Sequence, residues 1–329
     1  MNLHKAWEVF TITFIELQRQ VINLVEKKAN KQAFTLMEEA KEKFPQKRDR
    51  LGHWISSLYV LEGKHQEALA ELHDVIQHGL WWNPEILVSD PELSALKPYA
   101  EFNTILLECQ RMYEAEKESA HAHYSTLGNQ EAETVLFPLH WKGSNIEEFS
   151  KLWSHPEITN HYFMGFPQSS QLFSYQCYSW DDSTTAMKDV RKNYQTFIQQ
   201  NHLSDKVHIL AGASQGANIA TQMSLRADVE EFHNFIAIAP AFDLKAFQKI
   251  LKNQLNPRVR GCIITGDQDP FYETALEAVH LFETYQIPCK LIVKEGMGHV
   301  FPADFPDVLE EAVQYVTEQG TKKDYDTGK

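Results

Sequence analysis

Ser214 lies in the stretch Gly212-Ala213-Ser214-Gln215-Gly216. A short apolar run rich in β-formers, residues 207–211, precedes it, and residues 217–225 follow with Ile219, Met223 and Leu225 at helical spacing. A serine on a tight strand-to-helix turn is held in a strained backbone conformation, so the residues two before and two after it must be small. Here both are glycine. Such a turn lifts the hydroxyl clear of the sheet and aims the first N–H groups of the helix at the space beside it, where an oxyanion would form. A hydroxyl attacks well only when a base takes its proton, and histidine suits that task near neutral pH when a carboxylate fixes its tautomer. Both partners occur further along the chain. Gly266-Asp267-Gln268-Asp269-Pro270 carries two carboxylates, and Gly296-Met297-Gly298-His299 ends in a histidine. Asp269 or Asp267 can serve as the acid. Asp269 is favoured, because the glycine three positions earlier lets the chain turn it inward while Asp267 caps the turn.

These groups need elements that end together. Strands are predicted at 134–139, 162–166, 207–211, 235–239, 261–265 and 289–293, alternating with helices at 184–200, 217–225, 244–251, 273–285 and 306–317. Repeated strand–helix units with apolar strands give the α/β class, with a doubly wound, mainly parallel sheet covered on both faces. Ligands of such sheets sit at the carboxyl ends of the strands. Ser214, Asp269 and His299 each follow a predicted strand at that edge. So does His140-Trp141-Lys142-Gly143-Ser144-Asn145, in which His140 is expected to be a structural hydrogen-bonding residue.

From about Val135 onward the chain resembles the α/β-hydrolase superfamily, and within it the carboxylesterase, phospholipase and acyl-protein-thioesterase-like branch. The resemblance rests on Gly212-Ala213-Ser214-Gln215-Gly216, on Gly266 to Asp269, and on Gly298-His299. It implies a catalytic triad of Ser214, Asp269 and His299. It also implies an oxyanion hole whose donors are the Gln215 N–H and an N–H of the loop after the first core strand. That loop reads L-H-G-x-G in the family and Leu139-His140-Trp141-Lys142-Gly143 here, with Trp141 in place of a glycine. Lys142 or Trp141 supplies the second donor, and alignment prefers Lys142. No metal or organic cofactor is implied. The short stretch between Ala239 and Gly261 leaves no room for a large inserted lid.

Residues 1–118 read differently. Apolar residues from Val9 to about Gln77 recur at helical spacing, and Ala33, Met37, Ala40 and Pro45 find counterparts 35 residues later in Ala68, Leu72, Val75 and Leu80. This resembles a degenerate tetratricopeptide repeat, a helix pair with small residues at the crossing. Residues 78–102 are broken by Pro84, Pro91 and Pro98, with Asn83, Ser89 and Asp90 as capping residues, and a further helix spans about 102–118. Trp81 and Trp82 are candidates for a substrate-binding wall, with packing as the competing role. Two repeat-like units bury too little surface alone, so this all-α domain is expected to dock on the catalytic domain, residues 119–329, or to offer a groove to a protein partner.

The 329 residues are 43% apolar and carry a net charge of −14, which argues against nucleic-acid binding. No apolar run approaches the roughly 18 residues of a membrane span. The N-terminal stretch lacks a signal-peptide pattern, and four scattered cysteines without a C-x-x-C pair fit a cytoplasmic protein with reduced thiols. The expected function is a serine hydrolase acting on a small-molecule ester or thioester. Alternatives are a serine peptidase on the same triad, or an adaptor that binds a protein through its helices while the hydrolase fold is incidental.

Overall fold

The computed structural model describes residues 14–229 and 231–318. The start of the helical pattern at Val9, and most of the N-terminal stretch judged against signal peptides, lie outside them. The chain forms two compact units that divide between Glu118 and Ser119.

Among the described residues the first unit holds helices and no strand. It contains α1 (Phe14–Glu26), α2 (Asn30–Lys43), α3 (Arg48–Leu61), α4 (His65–Gln77), α5 (Pro84–Ser89) and α6 (Ala100–Lys117). Leu17, Val21, Ala33, Met37, Ala40, Leu51, Ile55 and Leu58 form one buried cluster across the first three helices. The residues with matching spacing, Ala33, Met37 and Ala40 in α2 and Ala68, Leu72 and Val75 in α4, are all buried, as an apolar stripe at helical period must be. The α3–α4 crossing is close. A Cβ added to Gly52 would collide with Val75 Cγ2, and Ser56 Oγ donates to Ala68 O at 3.2 Å. Asn83 caps α5 by accepting from Glu85 N at 3.0 Å, and Pro84 takes the first helical position, where its missing N–H is harmless.

The second unit opens with β1 (His123–Gly128) and β2 (Thr134–Leu139), then α7 (Ile146–Lys151), α8 (Pro156–His161) and β3 (Tyr162–Gln168). A short hairpin, β4 (Gln171–Ser174) with β5 (Cys177–Ser179), leads to α9 (Ser183–Asn201) and β6 (Val207–Ala213). Then come α10 (Gln215–Leu225), β7 (Asn234–Ile238), α11 (Leu244–Asn253), β8 (Arg260–Gly266), α12 (Tyr272–Thr284), β9 (Cys289–Lys294) and α13 (Phe305–Thr317). Seven strands form one sheet in the order β1-β3-β2-β6-β7-β8-β9, parallel except for β1.

Period-two alternation sends the strand side chains to two slabs of core. Leu136, Met164, Ile209, Ile236 and Ile264 meet Phe149, Ile158, Leu309 and Ala312 from α7, α8 and α13. Val135, Phe137 and Leu210 meet Val190, Phe197 and Met223 on the other face, and Phe235 and Ile263 meet Phe247 and Phe282 beside them. With both faces covered, the strands read as continuous apolar runs, which is why they are visible in the sequence. β1 and the β4–β5 hairpin are not predicted. β1 is polar and half exposed, bonding only one neighbour, and the hairpin strands are four and three residues long. Among the described residues no helix is long and apolar enough to cross a membrane.

The close crossing at Gly52 generates a stability test. Gly52→Ala gains about 1 kcal/mol of helix propensity, yet overpacking against Val75 costs typically 1–3 kcal/mol. A net loss of about 1 kcal/mol is expected in urea unfolding, and Val75→Ala should cost less in the Gly52→Ala background than alone. A Gly52→Ala chain more stable than the parent would refute the crowding.

Candidate active site

The sheet order reverses at β2 and β6: the chain moves outward from β2 to β3 on one side, then returns to lay β6 on the other. Loops at the carboxyl ends of two such strands diverge and leave a crevice. Ser214 follows β6 directly and the His140–Asn145 loop follows β2 directly, so both border that crevice.

Ser214 has φ 51° and ψ −117°, a conformation that L-residues adopt rarely and under strain. Three backbone bonds hold it. Its N–H donates to Ile238 O at 3.0 Å, and its carbonyl accepts from Asn218 N at 3.1 Å and Ala241 N at 3.2 Å. The flanking glycines are required by contact. A Cβ on Gly212 would stand 2.6 Å from the Gly216 carbonyl carbon, and one on Gly216 would stand 2.5 Å from His140 O.

His299 spans the gap between the other two groups. Its Nε2 lies 2.9 Å from Ser214 Oγ and its Nδ1 lies 2.9 Å from Asp269 Oδ2. A carboxylate only accepts, so Nδ1 carries the proton toward Asp269 and Nε2 faces the serine hydroxyl as acceptor. The Asp269 side chain is fully buried, and its Oδ1 accepts from Phe271 N at 2.8 Å. Asp267 is occupied differently. Its Oδ1 accepts from Gly296 N at 2.7 Å, supporting the left-handed Gly296 (φ +70°) in the histidine loop. The two loops are also tied through their backbones, Gln268 N to Met297 O at 3.1 Å and Asp267 N to Lys294 O at 3.3 Å.

The elbow and the β2 loop supply free donors. Among the described residues, the backbone N–H groups of Gln215, Trp141 and Lys142 have no protein acceptor, while Gly143 N is used on Tyr178 O at 2.9 Å. Gln215 N opens α10, where N–H groups point outward. His140 is fully buried. Its Nδ1 donates to Trp141 O at 2.8 Å, Gln168 Nε2 lies 3.2 Å from its Nε2, and Trp180 Nε1 donates to its carbonyl at 2.8 Å. Burial pushes its pKa down to about 4, against the pull of the bond to Trp141, so the ring is neutral and braces the loop.

Sequence reasoning missed Asp181 and Phe271. Asp181 accepts from Lys142 Nζ at 2.7 Å, Gln215 Nε2 at 2.8 Å and Ser179 Oγ at 2.8 Å. Desolvation acts to raise its pKa but is outweighed by these bonds, which hold the carboxyl below its usual range. It lies 39 residues from Lys142 and 34 from Gln215, so no local spacing links them. Phe271 is 38% exposed and its ring centre lies 5.2 Å from that of His299. Trp141 packs edge-on against Phe301 at 5.6 Å. Trp81 and Trp82, candidates for a substrate-binding wall with packing as the competing role, are both buried. Their indole N–H groups donate to Glu116 Oε1 at 2.8 Å and to Asp49 O at 3.1 Å, as buried tryptophans usually find a hydrogen-bond partner. The four cysteines form no disulfide among the described residues, and burial raises Cys109 to about 11 and Cys262 to about 12, so neither of these two thiols ionises readily near neutral pH.

Residues 13–117 match the family model of the A/B hydrolase-like N-terminal domain. No curated protein matches the chain. Among solved structures, the chain is similar to esterase PE8, with 19% identity over 59% of this chain and 99% of that one and a TM-score of 0.51. An uncharacterized protein from Bacillus cereus ATCC 10987 is 23% identical over 93% of this chain and 99% of its own, with a TM-score of 0.49. Acyl-protein thioesterase 2 from Zea mays is 12% identical over 58% and 96% of the two chains, with a TM-score of 0.46.

The buried His140 makes stability sensitive to acid. Its folded pKa lies below the ordinary 6.5, so its contribution is fully present above pH 6.5 and is lost as pH falls toward about 4. Over that window the ring should steepen the loss of unfolding free energy by about 1.4 kcal/mol per pH unit. Urea midpoints of wild type and His140→Phe, measured across pH 4 to 6.5, check this. Equal slopes would remove His140 as the cause.

Proposed function

We propose that this chain, which has the α/β-hydrolase fold, is a serine hydrolase that cleaves a carboxylic ester or thioester through an acyl-enzyme. One observation carries the reading: a continuous hydrogen-bonded line runs from Ser214 Oγ through His299 to the buried Asp269 carboxylate. In the reaction Ser214 Oγ attacks the acyl carbon while His299 Nε2 takes its proton. Asp269 keeps Nδ1 protonated and stabilises the imidazolium. The carbonyl oxygen becomes an oxyanion beside the N–H groups of Gln215 and of Lys142 or Trp141, which are fixed before the charge develops. His299 then protonates the departing alkoxide or thiolate. Water, deprotonated by the same nitrogen, attacks the acyl-serine and releases the acid.

The half-exposed Phe271 against the His299 ring favours an apolar group on the substrate beside the reacting carbonyl. An ester or thioester fits this surface, and its leaving group needs less help than an amide nitrogen. Asp267 stands outside the reaction, as its carboxylate serves the backbone of the histidine loop.

The test is labelling by a fluorophosphonate, which traps an activated serine. Wild type should label, and Ser214→Ala should not. Asp269→Asn should lower turnover of a p-nitrophenyl ester by roughly 10⁴-fold, since the histidine tautomer is lost. Asp267→Asn keeps an oxygen acceptor for Gly296 N and should lose less than about 10²-fold, the low end of what a proton-transferring group contributes. A folded wild type that neither labels nor turns over any ester would overturn the reading, and reversed costs would make Asp267 the acid.

A further inference from the structure

Two separate loops carry the candidate oxyanion donors, and the 177–181 segment stitches them together. On the β2 side, Gly143 N donates to Tyr178 O and Tyr178 N to Ser144 O, both at 2.9 Å, while the Trp180 indole donates to His140 O at 2.8 Å. On the elbow side, the Gln215 amide is gripped at both ends. Its Oε1 accepts from Trp180 N at 2.7 Å and its Nε2 donates to Asp181 Oδ1 at 2.8 Å. That same Oδ1 takes the Lys142 ammonium at 2.7 Å, and Ser179 Oγ fixes Oδ2 at 2.8 Å.

We propose that Asp181 is a positioning residue that sets the spacing between the two oxyanion donors by sharing one carboxylate oxygen between Lys142 and Gln215. This rests on the serine-hydrolase reading above. An oxyanion hole works only when both N–H groups converge on the place the charged oxygen will occupy, about 3 Å from each. Here one donor begins a helix and the other sits in a loop whose left-handed Gly143 (φ +74°) lacks a side chain to anchor it. An exposed ion pair alone contributes little. The bond from Asp181 to Gln215 adds a fixed direction, because the amide plane is already held by Trp180 N. The Lys142 ammonium is braced as well, with Nζ 4.6 Å from the centre of the Phe173 ring. Asp181 never meets the substrate in this scheme. It acts through the backbone geometry of its two partners, and its effect falls on the transition state, where the oxygen carries charge, rather than on ground-state binding.

The test uses the full chain, a p-nitrophenyl ester and a fluorophosphonate whose phosphoryl oxygen enters the same hole. Asp181→Ala should lower kcat by about 10- to 100-fold and slow labelling in parallel, with KM changed less than about twofold. The melting temperature should stay within a few degrees, as the side chain is half exposed. Asp181→Asn keeps an acceptor for Gln215 but loses the charge that holds Lys142, so it should fall between. Lys142→Met should add less in the Asp181→Ala background than alone, because both changes cut the same tie. An Asp181→Ala enzyme with wild-type kcat and labelling rate overturns the proposal and leaves the hydrolase reading standing. A loss confined to KM also overturns it, making Asp181 a substrate contact. A wild type that does not label, or labelling that persists in Ser214→Ala, defeats the hydrolase reading and the proposal together.

Discussion

The backbone strain at Ser214 is the constraint on which the rest of the second unit depends. A serine at φ 51° and ψ −117° sits in a region that L-residues avoid, at an expense of about 1–3 kcal/mol. It persists because its neighbours leave no alternative. β7 fixes its N–H through Ile238 O, and the start of α10 and the turn after β7 fix its carbonyl. The start of α10 packs so close against Gly212 at the end of β6, and against the end of β2 and its loop, that neither Gly212 nor Gly216 has room for a methyl group. The central strands therefore position the hydroxyl, and they can do so only because both faces of the sheet are buried.

His299 and Asp269 are placed by the same logic two strands away. β8 and β9 pair in register to Gly266 and Lys294, so the loops that follow leave the sheet side by side. Gly266 permits the approach: a Cβ there would stand 2.5 Å from the Met297 carbonyl carbon. Backbone bonds and the Asp267 carboxylate then lock the loops, which leaves Asp269 buried and aimed at His299. Preorganisation of this kind matters because a displacement of about 1 Å can cost two orders of magnitude in rate.

The helical unit obeys a different economy. Its alternation of small and large apolar residues at helical spacing lets α3 and α4 approach until Gly52 meets Val75. Trp81 and Trp82 are buried and satisfy their indole N–H groups on Glu116 and the Asp49 carbonyl.

The turn at Ser214, the histidine loop and the α/β class were legible in the sequence because their signals are local. Glycines two residues either side of Ser214 report a tight turn, and buried parallel strands write themselves as apolar runs between helical patterns. Asp269 was legible with Asp267 beside it as a rival. Only the folded loops, which give one carboxylate to the histidine and the other to Gly296 N, separate the two in geometry. β1 and the β4–β5 hairpin carried no comparable pattern, because a polar edge strand and three- or four-residue strands bury too little to leave a period. His140 was expected as a structural hydrogen-bonding residue, but the bonds it makes and the meeting of Lys142, Asp181 and Gln215 were decided by tertiary structure alone. Their partners lie tens of residues apart in sequence and are neighbours only because the sheet order brings β2 beside β6 and the hairpin folds back across both loops.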